Sequence, residues 1–157
     1  MTFNFARNMA LLSLTALLGL AQTLPNPELT PGAIDSKVTQ QTIHKTVCTS
    51  GYTKTVRNVP VRIKRQVAES YGLNWPLPRG AYEIDHWISL EIGGKNDVTN
   101  LWPQPLHPKN HDPGFRQKDV VENYLHRQVC KGAIGLREAQ EQIADWPAVY
   151  QKIKARQ

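Results

Sequence analysis

Apolar positions recur at helical spacing in the second half of the chain and once near its middle. Val61, Ile63, Val67, Ala68 and Tyr71 form one stripe, and Gly72 supplies a stop. Val121, Leu125 and Val129 form another, beside Val120 and Tyr124, which predicts a helix over 117–129. A further helix is expected from Leu136 to Ala144, and Pro147 opens a last one with Asp145 or Trp146 at its cap. Upstream, 39–47 reads as a short helix capped by Thr39, and 52–57 as a β-leaning stretch between Gly51 and Pro60. The period changes over 81–105. Tyr82, Ile84 and Ile88 alternate with polar neighbours, Gly93-Gly94 makes a turn, and Leu101-Trp102 starts a second short apolar run. Proline-rich loops flank this region, and no internal repeat interrupts it. The pattern describes one α+β domain of 157 residues, long enough for a modest core.

The first residues stand apart. Arg7 precedes an almost wholly apolar run from Met9 to Ala21, with small residues near its end. The run is short for a bilayer span, and Pro25, Pro27 and Pro31 prevent a helix from continuing. Residues 1–21 therefore read as a secretory signal removed on export, 22–38 as an extended linker and 39–157 as the domain. A periplasmic or secreted location follows, without stable membrane association once the signal is gone. The two cysteines, Cys48 and Cys130, are expected to pair in an oxidising compartment. The alternative is two buried thiols, and without a CxxC pair a cysteine-built zinc site is not expected. An excess of 19 Lys+Arg over 13 Asp+Glu favours polyanionic partners.

The candidate chemistry lies in the alternating region. Asp85 offers a hard oxygen ligand and the adjacent His86 a base able to activate water near neutral pH. That pairing suits phosphodiester hydrolysis, in which a divalent cation offsets the charge of the transition state. Strand alternation sends adjacent side chains to opposite faces, so a shared site demands a bend or bulge at Asp85-His86. Arg62, Lys64 and Arg65, with Lys118, are the candidate phosphate contacts. A solvated cationic face and a surface i,i+4 pair of Lys118 with Glu122 are the plainer readings.

The run Glu83-x-Asp85-His86-x-Ile88-x-Leu90-x-x-Gly93-Gly94, followed by Asn100-Leu101-x-Pro103, resembles the HNH nucleases. The resemblance implies a ββα-metal core, with Asp85 as metal ligand, His86 as general base and Asn100 bracing the hairpin and orienting that base. His111 is the first candidate to close the metal site, with Asn110, Glu122 and His126 as alternatives. It also implies a divalent ion, with Mg²⁺ ahead of Zn²⁺ or Mn²⁺. Further stretches look like a group of small exported bacterial proteins with HNH-like domains: Cys48-x-x-Gly51-Tyr-Thr, Lys118-Asp119-x-x-Glu122-Asn, Val129-Cys130-x-Gly132 and Asp145-Trp146. The expectation is an exported, monomeric endonuclease acting on DNA or RNA with little sequence preference. A non-catalytic binding module with a degenerate site is the alternative, and an inhibitor partner is left open.

Overall fold

The computed structural model describes residues 23–108 and 112–156. The expected signal segment 1–21, together with Asn110 and His111, lies outside the described residues. The rest is a mixed α+β chain. In order come α1 (Tyr52–Val56), α2 (Val61–Ser70), β1 (Tyr82–His86), β2 (Leu101–Pro105), α3 (Phe115–Cys130), α4 (Leu136–Ala144) and α5 (Trp146–Lys154).

The two strands pair antiparallel, with Tyr82 opposite Pro105, Ile84 opposite Pro103 and His86 opposite Leu101. Two prolines fit β2 because each strand of a two-stranded sheet has a free edge. The excursion between the strands folds into two 3₁₀ turns, Leu90–Ile92 and Val98–Asn100. Ser89 and Asp97 cap them, accepting from Glu91 N at 3.2 Å and Thr99 N at 3.0 Å. Gly93 takes a left-handed φ of +82°, and a Cβ on Gly94 would sit 1.8 Å from the Ile88 carbonyl oxygen. The Gly-Gly turn therefore serves a close backbone approach that any side chain would block.

Helices α3, α4 and α5 bury Val121, Leu125, Val129, Ala139, Ile143 and Trp146 against Ile88 and Ile92 of the excursion. Each valine, leucine or isoleucine among them contributes roughly 1.5–3 kcal/mol by leaving water. Val38, Ile43 and Val47 of the N-terminal segment close the same core. A disulfide, Cys48–Cys130, ties that segment to the end of α3 with a Cα–Cα distance of 5.5 Å. Helix α2 buries Val67 and Ala68 and packs on the hairpin.

Three local expectations change. Residues 52–56 form a helical turn, not a strand: among the described residues no strand pairs with them, and Tyr52 packs on the core. Within 39–47 only Ile43–Lys45 is helical, as a 3₁₀ turn. The Thr42 hydroxyl donates to Lys37 O at 2.8 Å and accepts from Thr39 N at 2.8 Å, which favours a turn over a helix. The stretch expected as an extended linker is docked and carries turns, with Thr30 N donating to Asn26 O at 2.8 Å and Val38 N to Asp35 O at 3.0 Å. Gly32 N donates to Thr99 O at 2.9 Å, Asp35 N to Gly93 O at 2.8 Å, and Ile34 bridges Gly94.

Candidate active site

β1 delivers Asp85 and His86 to the end of the hairpin, and the ladder keeps regular register through both. The expected bulge is absent from this pairing. The strand ends at His86, where Trp87 N turns to donate to Asn100 O at 2.8 Å. Alternation therefore sends the two side chains to different partners.

Asp85 meets α3. Lys118 Nζ donates to Asp85 Oδ2 at 2.7 Å, to the His86 carbonyl oxygen at 2.7 Å and to Glu122 Oε1. Its side chain is 0% exposed, against 16% for Asp85 and 13% for Glu122. The surface location expected for Lys118 is thus corrected. The pair with Glu122 exists, but the ammonium is enclosed, its three protons are committed, and it has no surface to offer a phosphate. Burial disfavours this charge, yet Asp85 and Glu122 outweigh it and raise the Lys118 pKa. Burial likewise works to raise Asp85, but the ammonium beside it holds the carboxyl below the usual range. One ammonium cannot satisfy two buried carboxylates equally. Burial, with Asp85 close by, leaves Glu122 pushed up to about 7 despite Lys118.

A stability effect follows. Glu122 is proton-bound in the folded chain where the unfolded chain has already ionised, so the folded state binds more protons between pH about 4.5 and 7. Its contribution is full below the unfolded pKa and is lost as pH rises through 7. In urea unfolding, the parent should lose up to about 3 kcal/mol relative to Glu122→Gln as pH rises through this window. Parallel pH profiles for the two proteins would remove the assignment.

His86 is 2% exposed and meets the excursion. Its Nε2 lies 2.9 Å from Asn96 Oδ1, and Asn96 Nδ2 donates to the Asn58 carbonyl oxygen. That second bond orients the amide so that its oxygen faces the imidazole. Nε2 then carries the proton, and Nδ1 keeps the lone pair. Burial lowers the His86 pKa, so the ring is neutral at neutral pH.

Asn100, fully buried, accepts from Ile88 N at 2.9 Å and donates to Ile88 O and Lys95 O, each at 2.9 Å. It clamps the excursion but makes no bond to His86; Asn96 is the residue that does. Asn96 carried no motif signal beyond its place in the loop. Further carboxylates surround Asp85. Loss of water contact, then Asp85 and Asp119, raise the Glu83 pKa, and Arg57 and Lys64 oppose the rise. Loss of water contact, then Asp85, raises Asp119, with Arg116 among the opposing charges. Arg62 and Arg65 are exposed on α2, and Lys64 is half-buried. Arg57 and Arg116, both exposed, are cations near the site that sequence reasoning did not single out.

Glu83, Asp85, Asp119 and Glu122 are hard oxygen donors that outnumber the single ammonium, and the Asp85 side chain is 16% exposed. Among the described residues no three of these carboxylates converge as a ligand group. On the same face of the hairpin, Gln104 pairs with Glu83 in register, is fully buried, and has neither amide atom hydrogen-bonded. Among the described residues, the one three-residue His/Cys/carboxylate group with converging ligand atoms is Cys48, His126 and Cys130, within 4.8 Å of one another. The two sulfurs are bonded to each other, and His126 Nε2 meets Val47 O at 2.9 Å, so this group is not an open thiolate site. Of the two alternative ligands on α3, His126 stands beside the disulfide and Glu122 beside Lys118.

No family model, curated protein or solved structure matches the chain.

Proposed function

We propose that this protein is a metal-dependent, HNH-like nuclease that hydrolyses phosphodiesters of DNA or RNA. The observation that carries the reading is the environment of His86. Its imidazole is kept neutral, with Nε2 held by Asn96 and Nδ1 left as the basic nitrogen, and Asp85 precedes it at the strand end on the opposite face of the regular ladder, so a shared site requires the strand end to bend there. In this reading His86 Nδ1 takes a proton from the attacking water. Asn96 holds the ring's tautomer, and Asn100 holds the excursion that carries Asn96. Asp85 would hold the divalent ion, with His111 or Asn110 as the closing ligand. The ion, when bound, supplies charge stabilisation at the phosphoryl oxygens and the leaving group. The exposed Arg57, Arg62, Arg65 and Arg116 would neutralise flanking phosphates, making binding strongly salt-dependent. The disulfide is compatible with an extracellular location, and no described helix is long and apolar enough to cross a membrane. Export is part of the proposal.

The test incubates oxidised protein with plasmid and with structured RNA, each with Mg²⁺, Mn²⁺, Zn²⁺ or EDTA. Cleavage that EDTA abolishes supports the reading. A second reading, a binding module that does no chemistry, draws on the near-complete burial of His86. Salt-sensitive nucleic-acid binding without cleavage under any metal would favour it.

A further inference from the structure

His126 and Cys130 stand four positions apart at the end of α3, so both side chains leave one face of the helix. Cys48 meets them from the N-terminal segment, its Cα 5.5 Å from that of Cys130. One imidazole nitrogen and the two sulfurs lie within 4.8 Å of one another. The Val47 carbonyl can only accept, so His126 Nε2, 2.9 Å from it, donates, and in the neutral ring Nδ1 keeps the lone pair. A metal-ligating histidine is usually held in this way, with its second ring N–H on a carbonyl or carboxylate. A cavity of ≈ 320 Å³ opens on the group and is lined by Cys48, His126 and Glu91 among others. Glu91 Oε2 is buried with no hydrogen-bond partner among the described residues. A disulfide needs neither an oriented imidazole nor a spare carboxylate oxygen beside it. Two sulfurs, an imidazole nitrogen and a carboxylate oxygen are the donors of a tetrahedral zinc site.

We propose that Cys48, His126 and Cys130 are a redox-gated zinc site, closed by Glu91, that opens when the disulfide is reduced. The N-terminal segment is then tied to α3 by a disulfide in the oxidised chain and by Zn²⁺ in the reduced chain. The proposal stands apart from the nuclease reading, because none of the four residues takes part in the mechanism above. A dithiol reductant gives two electrons and two protons to the S–S bond, which breaks to two thiols while the reductant closes to its own disulfide. Zn²⁺ binding then releases both thiol protons to solvent and leaves two thiolates on the ion. Zn–S bonds of about 2.3 Å in tetrahedral geometry set the sulfurs about 3.8 Å apart. Rotation of the two cysteine side chains supplies that opening, and the backbones already lie close enough to share an ion. Thiolate and imidazole select Zn²⁺ over Mg²⁺ and Mn²⁺, so the metal preference differs from that of an oxygen-ligated site at Asp85. The 82 positions between the cysteines hide the site from any reading of spacing.

The test titrates Co²⁺, a spectroscopic stand-in for Zn²⁺, into the full chain with and without prior reduction. A phosphine reductant, oxidised to its phosphine oxide with oxygen from water, avoids a competing thiol. The reduced chain should take up one ion with the near-ultraviolet thiolate-to-cobalt band and the strong visible bands of tetrahedral coordination. One equivalent of Zn²⁺ should bleach both, and the oxidised chain should show neither. Reduced His126→Ala should bind Zn²⁺ about 100-fold more weakly or worse, beyond the 10–100-fold that loss of a merely orienting partner costs. Its fold is checked by circular dichroism on the oxidised form, in which the disulfide is intact. Glu91→Gln should keep the thiolate band, shift the visible bands and bind more weakly than the parent. Zn²⁺ should raise the urea midpoint of the reduced chain more than that of Cys48→Ser/Cys130→Ser. A reduced chain without the thiolate band, one ion shared by two chains, or His126→Ala binding as tightly as the parent each overturns the proposal. So does a reduced chain that stays unfolded at saturating Zn²⁺. Parental affinity and spectrum in Glu91→Gln overturn the closure by Glu91.

Discussion

His86→Ala should cleave nucleic acid about 10²–10⁴-fold more slowly than the parent, the usual contribution of a positioned general base. The expectation draws on three features of the ring. It is neutral because burial lowers its pKa, its Nε2 is held by Asn96, and its Nδ1 is the nitrogen with a lone pair. Metal binding should change little, since the imidazole is not needed as a ligand in this scheme. Nucleic-acid affinity, measured by fluorescence anisotropy at fixed salt, should also stay near the parent's. Asn96→Ala should follow the same direction more weakly, because the ring loses its orienting partner but keeps its base. Cleavage by His86→Ala at the parental rate in every metal would falsify the mechanism. A variant that loses cleavage and nucleic-acid binding together would point to unfolding instead, which the near-ultraviolet dichroism of the same sample would reveal.

The second large effect concerns the disulfide. Reducing Cys48–Cys130, or replacing both residues by alanine, should lower stability by about 4–5 kcal/mol in the chain-entropy picture. The bridge spans 82 positions in sequence, so it closes a loop that contains α1, α2, the hairpin and α3. The crosslink restricts an unfolded chain of that size severely, while the folded chain already places the two ends together. The N-terminal segment depends on it most. Val38, Ile43 and Val47 reach the core through turns, with little regular structure of their own to hold them. Urea unfolding with and without a dithiol reductant measures the difference, and coincident midpoints would remove the bridge from the list of stabilising features.

The sequence by itself determined the elements whose periodicity is dictated by burial. The stripes at Val67-Ala68, at Val121-Leu125-Val129 and at Ala139-Ile143 each form the inner face of the expected helix, because a helix buries whatever recurs at its period. The antiparallel hairpin was legible too, since alternation and a Gly-Gly turn leave a chain few other paths. The pairing of two lone cysteines was legible from their number.

Tertiary structure decided the rest. Lys118 stands three and seven positions before Val121 and Leu125, on the buried stripe of α3. The spacing was a signal, but a lysine there is tolerable only because Asp85, from a strand over thirty residues away, meets it with the opposite charge. Asn96 became the partner of His86 through the path of the excursion and its bond to Asn58, contacts that no local pattern encodes. Residues 52–56 coiled where their threonines favour a strand, because no strand among the described residues was there to pair with them. Local propensity weighs a few tenths of a kcal/mol per residue, roughly, and a missing partner or a buried countercharge outweighs it.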